Sequence, residues 1–177
     1  MRLFIALEIP GNIKEYLMHI LKIIDSPSLK AKFLDKNQMH LTLKFLGKVQ
    51  ANKLDEIKKI LKNVNFTAFS TSLGRIGFFP NESYIRVIWL GLNPEDSILK
   101  LQKGIDEKLK NLFEKEKNFK PHITIARVKA IGNKEEFLEK IKSIEVENKE
   151  FEVTSFKLVK STLTPIGPIY EDLEVFS

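Results

Sequence analysis

Two tetrapeptides, His40-Leu41-Thr42-Leu43 and His122-Ile123-Thr124-Ile125, repeat one pattern of histidine, apolar, threonine, apolar. The 177-residue chain has three histidines, and two of them head this pattern. Side chains on a strand alternate faces, so His40 and Thr42 point one way and Leu41 and Leu43 the other; the second copy behaves alike. An imidazole and a hydroxyl then stand about 7 Å apart along one polar face. Brought together, two such strands surround a space suited to a tetrahedral anion. The chemistry this serves is phosphoryl transfer with one acid and one base. Near an ordinary imidazole pKa of about 6.5, one ring takes a proton while the other gives one. The hydroxyls donate to non-bridging oxygens that gain charge. The arrangement is nearly symmetric, so residue chemistry leaves open which histidine is the acid. Two histidines without a neighbouring carboxylate or thiolate fall short of a usual zinc shell, so no metal or cofactor is expected.

One His-x-Thr-x on a strand is ordinary, because threonine and apolar β-formers are what strands contain. Two copies at matching places of a repeat are not. "HLTLKFLGKVQANKLDEIKKI" and "HITIARVKAIGNKEEFLEKI" each run strand, short loop, Asn-Lys, acidic turn and helix. A helix precedes each histidine strand: one has its stripe at Ile13, Tyr16, Leu17, Ile20, Leu21 and Ile24, the other at Ile98, Leu101, Ile105, Leu109 and Leu112. The expected architecture is α+β and bilobal, with repeat halves of roughly 1–92 and 93–177 related by a pseudo-twofold. No linker separates the halves, so 1–177 is read as a single domain.

The remaining elements follow from capping and turn signals. Residues 2–9 read as a first strand stopped by Pro10-Gly11. Asn52 caps a helix with Asp55 and Glu56 in its first turn. Asn93-Pro94 opens another, with Asn93 as cap and Pro94 at the first helical position. Asn133 with Glu136 gives a capping-box pattern. Strands joined at Pro80-Asn81 lie between, and strands near 150–161 and 168–176 close the chain. His19 falls off its helix's apolar stripe and is assigned no role.

Composition sets the bounds. The chain has no cysteine, which removes disulfides and thiolate chemistry and fits a cytoplasmic protein. The N-terminus is apolar only briefly and does not read as a signal peptide, and no apolar run approaches membrane-span length, so no membrane association is expected. The net charge of +6, with lysines grouped at 30, 32 and 36, at 58, 59 and 62 and at 115, 117 and 120, favours a polyanionic partner such as RNA. Lysine and glutamate enrichment without cysteine also suits a heat-adapted surface.

The segments "MHLTLKFLG" and "FKPHITIAR" resemble the two signature motifs of the 2H phosphoesterase superfamily. Within it the chain is similar to the RNA 2′,3′-cyclic phosphodiesterase branch, historically called 2′-5′ RNA ligase. The likeness extends to "MRLFIALEIP", "GFFPNESYIRVIWLGL" and "SFKLVKSTLTPIGPIYEDL", and so spans the chain. It implies a 2H phosphoesterase-like fold with two antiparallel sheets facing a central cleft. It also implies metal-independent opening of an RNA terminal 2′,3′-cyclic phosphate to a 2′-phosphomonoester. By the family pattern His40 is the proton donor to the departing 3′ oxygen and His122 the acceptor that activates water. With an RNA 5′-hydroxyl in place of water, the same geometry forms a 2′-5′ linkage.

Thr42 and Thr124 are the expected phosphate contacts. Strand parity puts Lys44 on the His40 face as a further substrate-binding candidate, with Ala126 as its counterpart. Arg127 closes the second motif and is carried as a candidate too, although parity turns it away from His122 and favours a bracing role. Tyr170, Phe79 and Trp89 are candidate base-stacking residues, each with a core reading beside it. Two other functions remain open: a phosphodiesterase for a small cyclic phosphate (ADP-ribose cyclic phosphate or a cyclic nucleotide), and a non-catalytic RNA-binding module. One chain carries both motifs, so a monomer is expected.

Overall fold

A computed structural model describes residues 1–177. The chain runs β1 (Arg2–Glu8), α1 (Gly11–Ile24), β2 (Leu29–Phe33), β3 (His40–Lys48), α2 (Leu54–Leu61), β4 (Phe69–Asn81), β5 (Tyr84–Asn93), α3 (Asp96–Leu109), β6 (Ile123–Ile131), α4 (Lys134–Lys142), β7 (Glu150–Val153), β8 (Phe156–Thr164) and β9 (Gly167–Phe176). The strand order is β7-β4-β5-β6-β3-β1-β8-β9, with β2 added against β6 and every pairing antiparallel. Two antiparallel arms are therefore present, β9-β8-β1-β3 and β6-β5-β4-β7. They are joined at one registered pair, Leu41 with Ile123. Beyond that pair the strands part, and β2 takes the β6 edge from Ala126 onward.

Each arm draws on both ends of the chain. The hairpin β4–β5, from the first half, lies with β6, whereas β8–β9 lies with β1 and β3. A pseudo-twofold between β3 and β6 exchanges β1 with β5 and β8 with β4.

The helices form because their apolar residues recur at helical spacing, and they cover the sheet face opposite the histidines. Ile13, Leu17, Ile20 and Ile24 of α1 and Ile98, Ile105 and Leu109 of α3 share one core of 38 buried residues with Leu41, Leu43, Ile123 and Ile125. Asn133 caps α4 as its sequence predicts, its side chain accepting from the Glu136 N–H at 3.2 Å. Other ends shift. Asn93 closes β5 and α3 begins at Asp96, because pairing of Asn93 with Ser72 carries the ladder past the expected cap. The strand β4 runs through Pro80 to Asn81, and Asn81 turns the hairpin by accepting from the Tyr84 N–H.

Candidate active site

The burial pattern along the two histidine strands is the same. From His40 through Gly47 and from His122 through Lys129, partly buried and buried residues alternate for four positions, then two buried residues fall in succession and the alternation resumes. A β-bulge causes this in each strand. Ala6 pairs with Thr42 but Ile5 with Lys44, leaving Leu43 as the extra residue. Trp89 pairs with Thr124 but Ile88 with Ala126, leaving Ile125 extra. An inserted residue reverses the parity of everything after it.

Parity therefore misplaces both Lys44 and Arg127. Lys44 turns from the His40 face into the interior, 3% exposed, where its Nζ donates to Asp106 Oδ1 at 2.5 Å and to the Glu114 carbonyl at 2.6 Å. Asp106 also accepts from Gln102 Nε2 at 2.8 Å and the Glu116 N–H at 2.9 Å. The lysine ties α3 and the loop after it to β3 and does not line the cavity around the histidines. Arg127, expected on the far face, is brought onto the histidine face. So is Phe45, which is 71% exposed and which the sequence did not single out.

A cavity of about 530 Å³ gathers His40, Thr42, His122 and Thr124. Arg2, Lys48 and Arg127 line the same space, and no carboxylate does. Phe4, Phe45 and Tyr170 supply aromatic walls. Extending the Leu41–Ile123 register by one residue each way sets His40 across from Thr124 and Thr42 across from His122. Of the stacking candidates, only Tyr170 lies in this cavity; Trp89 is 5% exposed and Phe79 packs between it and His122.

The two imidazoles sit in different surroundings. His40 stacks on Phe4 with ring centres 4.8 Å apart and meets Tyr170 edge-on at 5.2 Å. His122 meets Phe79 edge-on at 4.8 Å and Trp89 at 6.0 Å. Its Nδ1 lies 2.7 Å from the Lys120 carbonyl. A carbonyl accepts only, so Nδ1 carries the proton and the neutral ring keeps its lone pair on Nε2.

Burial lowers the pKa of His40 from 6.5 to about 4; the Gln38 carbonyl and Glu8 oppose the shift, while Lys14 and His122 add to it. Burial also lowers that of His122, against the pull of the Lys120 carbonyl, and the Lys120 ammonium pushes the same way as burial. In the free protein both rings are neutral at pH 7. Burial pushes the Tyr170 hydroxyl up, and the nearby Arg127 charge draws it back.

The lysine groups contribute little to this cavity. Lys36 pairs with Glu15, Lys58 and Lys62 with Glu174, and Lys115 with Glu107. The cations that line it, Arg2, Lys48 and Arg127, are scattered in sequence. His19 is exposed on α1, away from this site.

Two imidazoles and two hydroxyls converging on a cation-lined cavity between splayed antiparallel arms have the make-up of a phosphoesterase-type site. Comparison with known proteins identifies the lineage. The LigT-like phosphoesterase family matches the chain twice, over residues 7–89 and 90–170, one histidine strand in each match. An RNA 2′,3′-cyclic phosphodiesterase of Methanocaldococcus jannaschii is 45% identical over 174 residues, covering 97% of each chain. One from Archaeoglobus fulgidus is 39% identical over 178 residues, covering 99% of each. The crystal structure of TT0787 from Thermus thermophilus superposes with a TM-score of 0.82 at 31% identity, covering 100% of this chain and 97% of that one. The chain belongs to the LigT-like phosphoesterase family.

Proposed function

We infer that the protein hydrolyses the 2′,3′-cyclic phosphate at an RNA end to a 2′-phosphomonoester. The observation that carries this is the pairing of His40 and His122 around one cavity that holds three cations and no carboxylate. Relatives that match over nearly the whole chain bear the name of this activity.

In this reading the cyclic phosphate lies between the two strands. His122, its lone pair held on Nε2 by the Lys120 carbonyl, takes the proton from an attacking water. His40 gives a proton to the departing 3′ oxygen. Thr42, Thr124 and Arg127 donate to the non-bridging oxygens, whose charge grows in the transition state. Phe45 offers an exposed face on which the terminal base stacks. An incoming RNA 5′-hydroxyl placed where water attacks gives the 2′-5′ joining reaction by the same path: His122 takes its proton, the 5′ oxygen bonds to phosphorus, and the 3′ oxygen leaves with the proton from His40. One chain supplies both histidines, so the active unit is a monomer of one bilobal domain. A cysteine-free protein acting on RNA ends fits a cytoplasmic place of work, and no helix is long and apolar enough to cross a membrane.

The test is to incubate the protein in EDTA with an RNA ending in a 2′,3′-cyclic phosphate and to resolve the 2′- and 3′-phosphate products. A 2′-phosphate, lost in both His40→Ala and His122→Ala, is expected. RNA that stays uncleaved while still bound would overturn the reading.

A further inference from the structure

A cavity of about 800 Å³ lies beyond His122 along β4 and has no part in the scheme above. β7 pairs with β4 over Phe69–Ser72 and the Lys149 carbonyl accepts from the Leu73 N–H, so the β4 edge from Gly74 to Phe78 has no strand beside it there. The end of α4 and the segment after it form the opposite bank. Arg75, Lys120 and Lys142 bring cations to this groove, and Glu82 is its one carboxylate, 3.9 Å from Lys142.

The floor is built around Trp89. Its indole lies against β4 at Gly77, where an added Cβ would fall 2.2 Å from the ring, so only glycine admits it. The indole N–H is buried without a hydrogen-bond partner. Lys120 Nζ stands 5.3 Å from the ring centre. Buried donors are ordinarily paired, so an orphan indole N–H beneath a lysine side chain marks a place where a polar ligand completes the contact.

The groove adjoins the histidine pair through shared lining residues. A small cavity of about 170 Å³ shares Thr42 and His122 with the catalytic cavity and Lys120 with the groove. Lys120 bridges the two sites in a second way, since its carbonyl holds His122 while its ammonium covers Trp89.

We propose that this groove receives the single-stranded RNA preceding the cyclic phosphate, with upstream phosphates on Arg75, Lys120 and Lys142 and an upstream nucleotide over Trp89. Single strands are commonly held by this combination of cations tracking the backbone and an aromatic face beneath a base. Movement of the Lys120 side chain onto a phosphate bares the indole. The proposal rests on the activity inferred above and deepens it, making the substrate an oligonucleotide end rather than a lone cyclic nucleotide.

The experiment compares turnover of adenosine 2′,3′-cyclic phosphate with oligoadenylates, from dinucleotide to hexanucleotide, carrying the same end. Binding of the 2′-phosphate-ended hexanucleotide is followed against salt. kcat/KM should rise with length and level off once the groove is filled. Arg75→Gln/Lys142→Gln should reduce the preference for oligonucleotide over mononucleotide. It should also make the log–log salt slope shallower by about 1.4, at about 0.7 per phosphate contact on a single strand. Glu82→Gln, which removes the opposing charge, should raise oligonucleotide affinity. All three altered residues are exposed, and matched thermal unfolding checks their fold. Turnover independent of length would overturn the proposal, as would a length effect that survives in the groove variants but disappears in Arg2→Gln/Lys48→Gln. Failure to turn over any of these substrates would instead overturn the activity itself.

Discussion

Phe45 and Arg127 occupy equivalent positions in the two histidine strands, each delivered to the cleft face by a bulge two residues earlier, at Leu43 and Ile125. The same backbone device therefore presents an aromatic ring on one side of a nearly symmetric site and a guanidinium on the other. With Lys44 buried and Ala126 as its counterpart, these two side chains are the first break in symmetry beyond the threonines. In the function proposed above they take different sides of a bound nucleotide, Arg127 the phosphate and Phe45 the base.

Replacing Arg127 by methionine should lower kcat/KM about 10²–10³-fold, the usual effect of removing one donor to a developing oxyanion. The residue is exposed and has no ion-pair partner, so the unfolding midpoint should move little. Cyclic-phosphate turnover alongside urea unfolding separates the two. A large stability loss with turnover intact would return Arg127 to the bracing role that parity suggested.

Lys44 should behave in the opposite way. Lys44→Met strands Asp106 in the interior, and breaking a buried pair by removing one partner costs about 3–5 kcal/mol. Urea midpoints report this loss. Lys44→Met/Asp106→Leu should regain part of it, because no uncompensated charge remains. A Lys44→Met protein with wild-type stability and impaired phosphate binding would contradict the interior placement.

Phe45→Ala should weaken substrates that carry a base and spare those that do not. Stacking one base on an aromatic ring contributes about 1–3 kcal/mol. KM for a nucleoside 2′,3′-cyclic phosphate should therefore rise roughly tenfold at the lower-middle of that range, at about 1.4 kcal/mol per factor of ten. For ribose 2,3-cyclic phosphate it should hardly change. Equal effects on both would place Phe45 in packing.

These cases also show what the sequence could carry. The histidines, the threonines and the repeat were legible because strand period and motif spacing are local. The two-arm architecture followed from the family resemblance, and the structure adds the single bridge at Leu41–Ile123 and the exchange of hairpins between halves. The bulges were not legible: Leu43 and Ile125 look like any apolar strand residue, and only the mismatch between Thr42–Lys44 and Ile5–Ala6 shows the insertion. The faces of Arg127 and Lys44 were misjudged, and Phe45 was not singled out, for that one reason. Arg2 and Lys48 were missed because their place in the cavity depends on how β1 lies beside β3, and β2 because "LKAKF", though alternating, is only five residues long and gains its stability from β6.

Stability should fall on mild acidification because of His40. Its folded pKa of about 4 lies below the unfolded 6.5. Above 6.5 both states hold the ring neutral and pH has no effect through this group. Between 6.5 and about 4 the unfolded chain binds a proton that the folded chain refuses, so stability declines with falling pH and levels off below. The shift corresponds to about 3 kcal/mol at about 1.4 kcal/mol per unit. His40→Gln should make that part of the urea-midpoint profile shallower, leaving the share due to His122, whose pKa burial also lowers, and the carboxylate-driven fall at lower pH. An unchanged slope would mean that the ring takes up its proton without penalty.

The same burial shapes the pH dependence of catalysis. The scheme proposed above requires a free enzyme with His40 charged and His122 neutral, yet both pKa values are lowered. That form is most abundant at acidic pH, so kcat/KM should peak below 6.5. A bound cyclic phosphate brings a negative charge between the rings, which favours the imidazolium of each and raises both pKa values. The kcat profile, which reports groups in the complex, should therefore lie at higher pH than the kcat/KM profile. Imidazole NMR titrations with and without the 2′-phosphate product measure the displacement directly. Coincident profiles, with no movement of either ring on binding phosphate, would show that the anion does not sit between His40 and His122.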